Sequence, residues 1–133
     1  MSIGNRATVQ TVALAFGGIY LLAGILGFLT FFGGSYTLTS KPLFNLFQVN
    51  LVHNLVHVVI GVAGLAAASS ARNSRTFCQV LAVVLFLLGI LGIFVARPFG
   101  LIDIGGADVA LHIVSGAVLA YFGFQAPIAA RAR

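Results

Sequence analysis

Residues 46–65, LFQVNLVHNLVHVVIGVAGL, decide how the chain is read. The segment is apolar apart from Gln48, Asn50, His53, Asn54 and His57, and the last four recur at three- and four-residue spacing, continuing as Gly61 and Gly64. On a helix that spacing puts them all on one face. The segment therefore predicts a helix that is greasy around most of its circumference and carries a single stripe of hydrogen-bonding groups.

The solvent that suits such a helix follows from the rest of the chain. Of 133 residues, 60% are hydrophobic and only 7% are charged, too little polar surface for a water-soluble domain. Four apolar runs carry no Lys or Arg: Thr11–Phe32, Leu46–Ser69, Thr76–Ala96 and Ala107–Ile128. Each reaches the roughly 20 residues that a helix needs to cross a hydrocarbon core. The expected fold class is an all-α membrane protein: four transmembrane helices in a bundle, forming one domain over residues 1–133. The lipid bilayer is its first partner.

The net charge of +5 does not point to nucleic acid, because the basic residues are scattered singly and form no patch. They read as topology signals. Arg6, Arg72, Arg75, Arg131 and Arg133 fall on one side, and Lys41 and Arg97 on the other with the two acids, Asp103 and Asp108. This asymmetry predicts that both termini are cytoplasmic. The first run reads as a retained span rather than a cleaved leader. Cys78 is the sole cysteine, which excludes an internal disulfide and the CxxC thiol oxidoreductases. The short polar link SSARNSR should make helices two and three adjacent and antiparallel. The outer connections, GGSYTLTSKPLFNLF and RPFGLIDIGGAD, should lie in the interface, with Phe44 and Phe99 toward the headgroups.

Comparing those connections reveals an internal repeat. Gly24-Ile25-Leu26-Gly27 recurs as Gly89-Ile90-Leu91-Gly92, and Lys41-Pro42 as Arg97-Pro98. Phe44 and the run Leu46–Val49 align with Phe99 and the run Leu101–Ile104, and His57 and Gly61 with His112 and Gly116. Their common order predicts tandem duplicated helix hairpins, about residues 8–70 and 76–130, related by an axis along the membrane normal. Small-residue faces should pack them, with Gly17 and Gly24 on helix one, Gly61 and Gly64 on helix two, and Gly116 and Gly123 on helix four.

Under the repeat His53 aligns with Asp108 and His57 with His112, so helices two and four each present two polar groups one turn apart. If those faces meet, three imidazoles and one carboxylate converge, with Gln48, Asn50, Asn54 and Asp103 around them. The preferred reading is structural: interhelical hydrogen bonds that lock helices two and four. Two alternatives use the same residues. His53, His57, Asp108 and His112 suit a transition metal by donor type, and His57 with His112 suits a b-type haem. A continuous proton path is disfavoured because the stripe turns to glycine at Gly61. Ser115 near His112 and the absence of GxGxxG give little ground for an enzyme.

The motif Asn50-x2-His53-Asn54-x2-His57-x3-Gly61, with Asp108-x3-His112-x3-Gly116, resembles a family of small bacterial four-helix membrane proteins, the domain-of-unknown-function family 4383. The resemblance covers nearly the whole chain. It implies a four-span protein of the bacterial inner membrane and no activity, and it leads one to expect an asparagine near the position of Gly105. The expected role is a non-enzymatic structural or accessory membrane component, alone, as a homo-oligomer or within a larger membrane complex.

Overall fold

The computed structural model describes residues 7–30 and 40–125. Arg6, Arg131 and Arg133, three of the topology signals, lie outside these residues, as do the ends of the first and fourth apolar runs. Four α-helices are present among the described residues: α1 (Thr8–Leu29), α2 (Leu51–Ala67), α3 (Ala71–Phe94) and α4 (Ala107–Ala120), the last continued by a π turn, Tyr121–Gln125. Three helical segments, Thr8–Leu29, Ala71–Phe94 and Ala107–Phe124, are long and apolar enough to cross a membrane. α2 is shorter, 17 residues, or about 25 Å at 1.5 Å per residue.

α2 is short because the second apolar run does not begin as a helix. Lys41–Leu43 and Phe47–Val49 form β1 and β2, an antiparallel pair with Leu43 opposite Phe47, so the fold is not purely helical. Leu46 N donates to Leu43 O at 3.1 Å across a turn whose central residues, Phe44 and Asn45, have φ of 53° and 55°. Positive φ at both centres is what tight hairpins favour, and Asn accepts it far better than Phe. Asn50 then ends the strand: its Oδ1 accepts from His53 N at 2.9 Å and starts α2.

The link SSARNSR also differs from its expected form. Ser70 caps the next helix by accepting from Asn73 N at 3.2 Å, so Arg72 and Arg75 lie in the first turns of α3 and the connection shrinks to Ala68–Ser70. The carbonyls that α2 leaves unpaired at its end are met by side chains. Gln10 Nε2 donates to Ala68 O at 3.0 Å, and Ser74 Oγ to Ala67 O at 3.0 Å.

Packing follows the hairpins: α1 lies chiefly on α2, α3 on α4, and α1 also on α3. The buried face of α1 includes Ala13, Gly17, Tyr20, Gly24 and Gly27, and Gly61 and Gly64 are buried on α2. A Cβ on Gly17 would stand 2.7 Å from Leu65 N, and one on Gly64 would stand 2.7 Å from Gly17 Cα, so the two backbones touch. Gly116 and Gly123 on α4 are buried as well.

Aligned positions of the sequence repeat have aligned partners in space. Gly24 faces Val58, and Gly89 faces Ile113; Gly27 faces Asn54, and Gly92 faces Val109. Gly61 lies against Leu21 and Gly17, whereas the second half packs less closely: a Cβ on Gly116 would stand 3.4 Å from Ala82 O. Phe44 and Phe99 share the same unusual backbone, with φ of 53° and 55°, and both are exposed.

Candidate functional site

α2 and α4 begin at the same end of the molecule, and their first two turns carry the polar cluster. Asn50 is fully buried and acts twice: beyond capping α2, its Nδ2 donates to Leu101 O at 2.8 Å and ties α2 to the second outer connection. Replacing Asn50 with alanine removes both bonds and is expected to lower stability by about 2 kcal/mol, roughly 1 from the cap and 1 from the carbonyl bond. Thermal unfolding in mild detergent would measure this; an unchanged midpoint would count against both bonds. At the aligned position in the second half, where an asparagine is expected from the family resemblance, Gly105 leaves no room for one: a Cβ would sit 2.5 Å from Ala96 Cβ. α4 accordingly starts at Gly106, φ 63°, with no side-chain cap. Asp108 stands in its first turn, the position at which a helix N-terminus favours an acidic side chain.

His53 is the centre of the cluster and is 2% exposed. Its Nε2 lies 3.1 Å from His57 Nε2, one donating and the other accepting, with the rings edge-on at 77°. The same nitrogen is 3.8 Å from Asp108 Oδ2, the contact by which α2 meets α4. His57, one turn deeper, packs edge-on against Tyr20 of α1, with ring centroids 5.0 Å apart. His112 is 5% exposed and lines the same small chamber as Tyr20, His53 and His57.

Tyr20 is the residue that the sequence reading missed. Its signal was available: it shares the three- and four-residue spacing of Ala13, Gly17, Gly24 and Gly27, and it is the one phenol on that face. The outer ring of expected partners is largely elsewhere. Gln48 is exposed on β2. Asp103 is half-buried: its carboxylate accepts from Ser40 Oγ and lies 3.9 Å from Arg97 Nε, while its backbone meets the His53 ring. Asn54 is buried but directed at Gly27 of α1, and its amide has no hydrogen-bond partner among the described residues.

This geometry bears on the cofactor readings. Among the described residues no group of three or more His, Cys, Asp or Glu side chains is placed to hold a metal ion, so His53, His57, Asp108 and His112 do not assemble as a ligand set. The chamber containing His57 and His112 measures about 20 Å³, far below the roughly 300 Å³ at which ligand pockets begin, and a porphyrin does not fit there. No hydrogen bond joins Ser115 to His112 among the described residues, and the nucleophile–base contact an acyl-transfer enzyme needs is not formed. A wider groove of about 230 Å³, apolar and lying under the β hairpin between α1 and α4, reaches His53, His57 and Asp108.

A family model described as Domain of unknown function (DUF4383) matches residues 10–125. No curated protein and no solved structure matches the chain.

Proposed function

The chain belongs to the DUF4383 family, and we propose that it is a non-enzymatic structural or accessory component of a bacterial inner membrane, spanning it four times as two related hairpins. The observation that carries this reading is the approach of His53 on α2 to Asp108 on α4 at 3.8 Å, a polar junction between hairpins inside an otherwise apolar bundle. In lipid, where apolar faces gain nothing by meeting, such contacts and close glycine packing are the forces that select one arrangement of helices. Tandem duplication is supported by the equivalent contacts of Gly24 and Gly89 and of Gly27 and Gly92. The apolar side chains left exposed around all four helices, among them Ile19, Val59, Leu87 and Val114, suit contact with lipid or with further copies of the chain.

Purification in mild detergent, followed by a visible spectrum and metal analysis, tests the role. A colourless, metal-free, folded protein is expected; a Soret band or stoichiometric metal would overturn the structural reading. Orientation needs a designed label, because Cys78 is fully buried and would resist a thiol reagent from either side. Ser69 is exposed in the α2–α3 link. In a Ser69→Cys, Cys78→Ala protein, a membrane-impermeant maleimide should react only after the cells are permeabilised. Ready labelling of intact cells would reverse the proposed topology.

A further inference from the structure

Tyr20, His53, His57 and His112 line a chamber of about 20 Å³ at the junction of the two hairpins, with Leu85 and Ile104, each 1% exposed, in its inner wall. A water molecule needs on the order of 10–15 Å³ and two to four polar neighbours. The chamber meets both conditions for one water and has room for no larger ligand.

The hydrogen-bond inventory points the same way. Each imidazole carries two ring nitrogens. His57 engages His53 through Nε2, which leaves its Nδ1 to be matched. The Nδ1 of His112 is buried and has no hydrogen-bond partner among the described residues. Buried polar atoms in folded proteins are almost always paired, with ordered water making up what side chains do not. His57 and His112 are aligned positions of the repeat, so a group between them sits where the two halves face each other.

We propose that the chamber is a binding site for a single ordered water, held between His57 and His112 with the Tyr20 hydroxyl as third partner. The junction of the hairpins is then partly water-mediated: direct from His53 to Asp108, and through water from His57 to His112. This rests on the structural reading of the cluster and adds a ligand to it. An imidazole can give or take a proton at either nitrogen, so the bridge is satisfied in either tautomer of the His53–His57 pair.

The test is solid-state NMR of the full chain, ¹⁵N-labelled at histidine and ¹³C-labelled at leucine, in phosphatidylcholine vesicles, reading polarisation transfer from water. Transfer to the His57 and His112 rings is expected at mixing times at which the methyls of Leu81 and Leu119, buried away from the chamber, receive none. His112→Phe fills the chamber and should abolish transfer to His57. Tyr20→Phe, which keeps the ring and its packing, should weaken it. Absence of transfer in the metal-free wild-type protein, or unchanged transfer in both variants, would overturn the water site and leave the structural reading standing. Stoichiometric metal with metal-shifted imidazole resonances would overturn both.

Discussion

Replacing Gly61 with leucine is expected to pull α1 away from α2 and to be the most damaging single change in the chain. A Cβ at this position would stand 2.5 Å from Leu21 N and 2.6 Å from Leu21 Cα, and backbone atoms cannot rotate aside as a side chain can. Overpacking of a well-packed interior costs about 1–3 kcal/mol, and a clash with main chain belongs at the upper end. The loss extends beyond one contact, because Gly17 and Gly64 meet at the same crossing and separate with it. Gly18→Ala is the matched control: nothing lies within 4 Å of its Cβ, so the change should be neutral or, through helix propensity, stabilising by up to about 1 kcal/mol. Unfolding in mixed micelles with rising SDS content would measure both. Equal midpoints for the two variants would show that α1 and α2 do not cross at Gly61.

Truncating His57 to alanine should have the next largest effect, about 3 kcal/mol. The ring contributes edge contacts to Tyr20 and His53, each worth roughly 0.5–1.5 kcal/mol, and its loss leaves His53 Nε2 short of a partner in an apolar interior. His57→Phe separates these contributions, since it keeps a ring of similar shape and removes only the nitrogens. The bond removed, to His53, lies within α2, and a hydrogen bond contributes about 1 kcal/mol net, so this variant should lose about 1 kcal/mol or less. The same unfolding assay distinguishes the outcomes. A negligible loss for His57→Ala would show that its ring does not help to hold α1 on α2, and equal losses for the two variants would assign the whole effect to hydrogen bonding rather than to packing.

The match between sequence reading and structure varies with the range of the interaction. α1 and α3 fall within a few residues of their predicted runs, because hydrophobic periodicity is local and the bilayer sets a common length. The second run was read as helix from Leu46, yet Leu46–Val49 are apolar in a way that suits a strand equally well. The turn at Phe44–Asn45 and the Asn50 cap decided for strand. SSARNSR looked like a loop from its polarity, but Ser70 can cap, and everything after it continued as helix. Tyr20 escapes a reading of α1 that takes only its small residues, although its spacing places it on their face.

Residue types alone determined that the chain is built of apolar helices, three of them long enough to cross a membrane, and that Asn50, His53, Asn54 and His57 share one side of the second helical run, since spacing along one helix fixes direction around that helix. Which polar groups meet was decided only in three dimensions. Asp108 reached His53, while the carboxylate of Asp103, five residues earlier, went to Ser40 and Arg97. Asn54, on the same stripe as His53, was taken by Gly27 of α1. The physical reason is that the rotation of one helix against another is set by where their backbones can touch. That depends on the Gly17, Gly61 and Gly64 crossing as a whole, which no spacing within a single helix contains.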